Sequence, residues 1–125
     1  MEDLYIPGTD SLPTVSFKTT GELKIEGRAL PENAEKFFAP LISWVTGFAA
    51  EEINLEINLD YFNTSVSKQL LDFFKVIEKN PDARTIHLKW MYEEGDEEML
   101  ESGELYKELL PRFNFTFQRY SEIVS

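Results

Sequence analysis

The chain has 125 residues, 42% hydrophobic and 14% aromatic, with no cysteine and a formal charge of −11 from 12 Lys+Arg against 23 Asp+Glu. That length fits one domain over residues 1–125, the apolar content is too high for a disordered chain, and the missing thiols exclude a disulfide frame and a cysteine nucleophile. The charge repels DNA, RNA and anionic lipid, which are bound through basic residues, and it suits solubility or a basic patch on a protein partner.

No apolar run approaches the ~20 residues that cross a bilayer. The opening "MEDLYIPGTD" is acidic where a secretory signal is basic, so a cytoplasmic protein is expected. Residues 1–13, with Pro7, Gly8 and Pro13, read as an extended lead-in. "TVSFKTTGELKIEG" alternates at Val15 and Phe17, turns at Thr19-Thr20-Gly21, and alternates again at Leu23 and Ile25, which predicts a hairpin. "PENAEKFFAPLISWVTGFAAEE" carries Ala34, Phe37, Phe38, Leu41, Ile42, Val45, Phe48 and Ala49 at helical spacing. Pro40 removes a backbone donor there, so a kink or a later helix start is expected.

"INLEINLDYF" predicts a strand with Ile53, Leu55, Ile57, Leu59 and Tyr61 on one face and Asn54, Glu56, Asn58 and Asp60 on the other. The next helix carries Val66, Leu70, Phe73, Phe74 and Ile77 on one stripe and stops at Asn80-Pro81. "TIHLKWMYEE" alternates with Ile86, Leu88, Trp90 and Tyr92 facing together. A third helix is expected from about Glu97 to Leu110, with Met99, Leu100, Leu105, Leu109 and Leu110 on its apolar side and Gly103 as an interruption. "RFNFTFQRY" closes the pattern with Phe113, Phe115 and Phe117 on one face.

The resulting order is β-β-α-β-α-β-α-β, an α/β class in which strand–helix–strand units imply parallel neighbours and right-handed crossovers. Strands buried on both faces are usually continuous apolar runs. Here the last three keep a polar face, so a mixed sheet with helices mainly on one side is expected.

Catalysis needs a nucleophile with its base, paired carboxylates in a pocket, or metal ligands. His87 stands alone on the polar side of its strand. "YEEGDEEMLESGE" lacks the alternating ligand positions and the closing Glu of a calcium loop, and it reads as a loop and an acidic helix start. "IPGTDS" and "GELKIEG" lack phosphate-cradling spacing. A protein that is not an enzyme, with no cofactor and no metal, is expected.

"DYFNTSVSKQLL" joins a strand to a helix through a cluster of hydroxyls. Asn63 or Thr64 can cap the helix, which leaves Ser65 and Ser67 unexplained. Helix N-termini favour anions, and a phosphate on Thr64 or Ser65 would add a charge of roughly −1.5 to −2. Such a charge could evict a partner without refolding the domain.

Strand, hydroxyl-rich turn and amphipathic helix resemble the phosphorylation site of STAS domains, the anti-sigma-factor-antagonist fold. Asn63-Thr64-Ser65-Val66 departs from their Asp-Ser-Ser-Gly type signature. "YIPGT", "GRALPENAEKFFAPLISWV", "LDYFNTSVSKQLLDFF" and "MYEEGDEEMLESGE" together resemble the SiaC family of bacterial regulatory phosphoproteins over nearly the whole chain. That resemblance implies a STAS-like fold and a non-catalytic adaptor. It implies phosphorylation on Thr64, with Ser65 the second candidate, by a protein kinase, and reversal by a metal-dependent Ser/Thr phosphatase. It also implies that the unmodified form binds a diguanylate cyclase and promotes cyclic-di-GMP synthesis, favouring biofilm or aggregation. The expected docking surface comprises Asn63, Thr64, Ser65, Ser67 and Lys68. Two other readings remain open. One is a small-molecule module using Asn54, Glu56, Asn58 and Lys89 on the wet sheet face. The other is a generic partner-switching protein of the anti-sigma-antagonist type.

Overall fold

The computed structural model describes residues 1–121. Six strands, β1 (Leu4–Ile6), β2 (Thr14–Phe17), β3 (Glu22–Ala29), β4 (Glu52–Phe62), β5 (Thr85–Glu93) and β6 (Asn114–Tyr120), form one sheet in sequence order. β1, β2 and β3 pair antiparallel, whereas β3 through β6 run parallel. The three crossovers hold α1 (Ala34–Thr46), α2 (Thr64–Glu78) and α3 (Glu97–Leu109).

Strand alternation decides which face is dry. Leu23 and Ile25 of β3, Ile53, Leu55, Ile57 and Leu59 of β4, and Ile86, Leu88 and Trp90 of β5 are buried in one cluster with the apolar stripes of the helices. Their alternate neighbours Lys24, Asn54 and His87 are exposed. The mixed sheet with one open face therefore matches the expectation from patterning. The hairpin also forms as expected, closed by Lys18 N–H donating to Glu22 O at 2.8 Å. Gly21 sits there at φ 108°, and a Cβ on it would lie 2.3 Å from Glu52 O.

One strand was not expected. Leu4–Ile6, inside the supposed lead-in, pairs with β2 at Leu4↔Phe17 and Ile6↔Val15. Three residues are too few to show a period. The strand is held from outside its own sequence, by Thr19 N–H donating to Asp3 Oδ1 at 2.9 Å and Trp44 Nε1–H donating to Glu2 O at 2.8 Å.

Three expectations about side chains are settled by packing. α1 begins at Ala34 and runs through Pro40, so the later start does not occur. Pro40 is exposed, which leaves its missing backbone bond on the water side, where solvent can replace it. Tyr61 does not join the core face: the pairing steps from Gly27↔Leu59 to Arg28↔Tyr61, and the skipped Asp60 makes a bulge. A bulge shifts alternation by one, so Tyr61 points outward at 54% exposure. The apolar side of α3 is also displaced. Its buried residues are Met99, Gly103 and Tyr106, followed by Leu110, while Leu105 and Leu109 are exposed.

Gly103 explains that displacement. A Cβ there would fall 2.5 Å from Trp90 Cδ1, 2.6 Å from Trp90 Nε1 and 2.8 Å from Phe117 Cε1. The helix approaches the sheet so closely only because that position has no side chain. Trp90 is fully buried, and its indole N–H donates to Met99 O at 2.9 Å. The glycine that looked like an interruption is the contact point of the helix.

At the far end of α2, the Arg112 guanidinium donates to the carbonyls of Glu78, Asn80 and Ala83. Those carbonyls lie at and beyond the helix C-terminus, where the ladder leaves acceptors unpaired.

Candidate functional site

Because β3 to β6 are parallel, their carboxyl ends share one rim, and α1, α2 and α3 all start there. Each helix is capped by an Asx side chain: Asn33 accepts from Lys36 N–H, Asn63 from Val66 N–H and Asp96 from Met99 N–H. In open α/β sheets this rim is where partners and ligands are usually met.

The hydroxyl cluster lies on the rim at the start of α2. Asn63 Oδ1 accepts from Val66 N–H at 3.0 Å, and Asn63 O accepts from Ser67 N–H at 2.9 Å. The cap is therefore Asn63, and Thr64 is free to be the first helical residue. The amides of Thr64 and Ser65 precede the first intrahelical bond, so they point outward with the positive end of the helix dipole.

Structure sorts the three hydroxyls. Thr64 and Ser65 are exposed. Ser67 is half-buried, with its Oγ 3.0 Å from the Tyr106 hydroxyl. The same Tyr106 hydroxyl donates to Ser67 O at 2.9 Å. Ser67 is thus tied into the joint between α2 and α3, and the two hydroxyls before it are the ones that face solvent. Lys68 is exposed one helical turn after Thr64. Asn63, Thr64, Ser65, Ser67 and Lys68 therefore share one short surface, with Asn63 and Ser67 shaping it from below.

Tyr106 is the residue that sequence reasoning missed. It sits three positions after Gly103 and four before Leu110, on the face that packs inward, and its ring meets Phe74 at 5.4 Å and Trp90 at 5.4 Å. Attention to leucines alone hid that spacing. Burial pushes the Tyr106 phenol above its ordinary pKa, and the bond with Ser67 pulls it back in part. With the folded value above the unfolded one, this group's contribution is full below the unfolded pKa and is lost as pH rises through the folded pKa. Tyr106→Phe is expected to cost roughly 0.5–1.5 kcal/mol at neutral pH by removing the partner of the half-buried Ser67 Oγ. It should also flatten the loss of stability in alkaline buffer. Urea midpoints in the two buffers measure both effects, and an unchanged neutral midpoint would show the joint to be unimportant.

The open face is arranged differently. A shallow basin of about 510 Å³ is lined by Asn54, Glu56, His87 and Lys89 among others, and Asn58 is not part of it. Glu56 lies between Lys24 at 3.2 Å and Lys89 at 3.7 Å, and Lys24 also meets Glu26 at 3.0 Å. Donation to the Glu26 carboxylate, then to that of Glu56, raises the Lys24 pKa. Charges on this face satisfy one another across the strands. Among the described residues, no helix is long and apolar enough to cross a membrane.

Comparison with known proteins adds to this geometry. A family profile described as "SiaC family regulatory phosphoprotein" matches residues 6–120. An uncharacterised protein of Pseudomonas aeruginosa (strain UCBPP-PA14) is 33% identical over 127 residues, covering 98% of this chain and 100% of the relative. The crystal structure of diguanylate cyclase SiaD in complex with its activator SiaC, from Pseudomonas aeruginosa, contains a chain that matches with TM-score 0.83 and 30% identity. That match covers 94% of this chain and 100% of the other. A structure of SiaC of Pseudomonas aeruginosa matches with TM-score 0.83 and 29% identity, covering 96% of this chain and 100% of that one. The six-stranded mixed sheet and its three helices are thus shared with SiaC, and this chain belongs to the SiaC family of regulatory phosphoproteins.

Proposed function

We propose that this chain is a non-catalytic phospho-switch adaptor of one domain, acting in the cytoplasm. Unmodified, it binds a diguanylate cyclase and activates cyclic-di-GMP synthesis, with biofilm or aggregation as the output. A protein kinase phosphorylates Thr64 and the cyclase is released; a metal-dependent Ser/Thr phosphatase restores the binding form. The observation that carries this reading is the exposed Thr64 hydroxyl at the capped start of α2, in a chain similar to the activator in the SiaD–SiaC complex.

The mechanism is local. A phosphate of charge roughly −1.5 to −2 sits comfortably where free amides and the dipole offer partial positive charge. The domain therefore keeps its fold. A partner covering the same turn must strip water from that phosphate, and an incompletely compensated buried charge costs several kcal/mol. Binding is lost at the surface while the core is untouched. Asn63 presents the turn, Ser65 is the second acceptor, and Lys68 edges the docking surface. The small-ligand reading of the open face is weaker on one observation: Lys24 and Lys89 both already pair with Glu56.

Phosphopeptide mapping by mass spectrometry after co-expression with the cognate kinase tests the acceptor. One phosphate is expected, on Thr64. A phosphate confined to Ser65 moves the site by one residue, and an unmodified peptide from Thr64 to Ser67 overturns the proposal.

A further inference from the structure

β6 is the last strand of the sheet, and among the described residues no strand pairs with its outer side. Open sheet edges invite another strand, so proteins shorten them, bend them, or set lysine and proline on them. The opposite edge follows that rule: β1 is three residues long and is followed by Pro7. β6 has none of these devices. It runs seven residues, keeps an unbroken register with β5, and contains no proline and no lysine. It also carries no carboxylate, whereas β3, β4 and β5 each carry glutamate.

One bond fixes which backbone groups point outward. Tyr120 O accepts from Glu94 N–H at 2.7 Å, so Tyr120 turns its backbone toward β5. That direction alternates along a strand. Asn114, Thr116 and Gln118 therefore also face β5, and the N–H and C=O groups of Phe115, Phe117 and Arg119 point away from the sheet. The side chains at these three positions share the helix face by alternation. There the rings of Phe113, Phe115 and Phe117 form a ladder with centroids 6.2 and 6.0 Å apart. Phe115 and Phe117 are only half-buried, so the ladder ends at water.

Symmetry then selects a register. A two-fold axis perpendicular to the sheet keeps each face on its own side, so odd positions must meet odd positions across an antiparallel seam. Phe117 is the middle residue of β6. Centring there sets Phe117 opposite its own copy, and Phe115 opposite Arg119 of the second copy. These are the positions with outward backbone groups, and each such pair exchanges both N–H···O bonds. On the helix face, ring meets ring at the centre and a guanidinium meets a ring on either side. On the open face, Thr116 meets Gln118 and Asn114 meets Tyr120. No like charges stand opposite each other, which matters for two chains that each carry −11.

We propose that β6 pairs with β6 of a second copy of this chain, antiparallel and centred on Phe117, so that two sheets join into one. The seam is small, so the dimer is weak and forms as concentration rises. Antiparallel pairing points the two carboxyl-end rims in opposite directions and leaves both Thr64 turns away from the seam. Pairing is thus separate from phosphorylation, and the inference does not depend on the switch.

Sedimentation velocity of the full chain tests this over roughly 10 μM to 1 mM, the range of weak association. The wild type is expected to move from monomer toward dimer across that range. Thr116→Lys/Gln118→Lys changes two exposed side chains and sets like charges against each other across the seam. It is expected to stay monomeric and to melt as the wild type does. Thr116→Lys/Gln118→Glu sets opposite charges at the same meeting points, and is expected to lower the dimer Kd severalfold in low salt and less in high salt. A wild type that stays monomeric throughout overturns the proposal. So does a dimer that all three chains form equally well, because its seam lies elsewhere. A dimer lost in the first variant but not tightened in the second overturns the register centred on Phe117.

Discussion

Thr64→Asp is expected to bind the cyclase about ten- to a hundredfold more weakly than the wild type, and Thr64→Ala to bind as tightly and to ignore the kinase. The direction follows from what each change does to one exposed position. Alanine removes a methyl and a hydroxyl that make no contact with the core, so the unmodified surface persists. Aspartate places a carboxylate on the first helical residue, where the dipole stabilises it by a few tenths of a kcal/mol. The fold is kept, and the melting temperature should be equal or slightly higher. What changes is the docked state, where covering a charge costs roughly 1.4–3 kcal/mol, the tenfold to hundredfold range. Aspartate carries less charge than phosphate, so the phosphorylated chain should bind more weakly still. Calorimetric titration of the three forms checks this. Equal affinity for Thr64→Asp and Thr64→Ala would end the switch proposal.

Gly103→Ala is expected to destabilise the protein by about 1–3 kcal/mol, an overpacking cost. This runs against propensity, since alanine in a helix interior is usually about 1 kcal/mol better than glycine. The sign is decided by distance. The added methyl would stand 2.5 Å from Trp90 Cδ1 and 2.8 Å from Phe117 Cε1, both on rings packed in the sheet. Trp90 cannot withdraw cheaply, because its indole N–H is bonded to Met99 O in the same helix. α3 must therefore rise off β5 and β6, loosening the Tyr106 ring from its contacts with Phe74 and Trp90. A drop of roughly 3–10 °C in melting temperature is the expected reading. A higher melting temperature would mean that α3 does not need this close approach.

Both cases show where sequence reading succeeds and where it stops. Alternation in "INLEINLDYF" and the stripe Val66, Leu70, Phe73, Phe74 and Ile77 placed β4 and α2 correctly, because period and burial there agree over many residues. The candidate hydroxyls were legible for the same reason: the junction between two clear periods is itself well marked. Tyr61 was misplaced because one skipped residue in the β3–β4 register inverts every later side chain. α3 was misread because its inward face uses Gly103 and Tyr106, a residue with no side chain and a residue with a polar tip, while two leucines face out. Hydrophobicity alone cannot rank those four positions. β1 and the Ser67–Tyr106 bond, which joins residues 39 apart in sequence, depend on tertiary neighbours that no local pattern encodes.

Arg112 adds a last point about α2. Its guanidinium grips the trailing carbonyls of that helix, and Tyr106 holds the leading turn through Ser67. A rod clamped at both tips transmits little, so under the proposed switch a phosphate on Thr64 would change the paint on the rod and leave its position alone. Writer, eraser and reader of the mark would then all confront one unvarying shape, and discrimination between the two forms falls entirely to their own recognition surfaces.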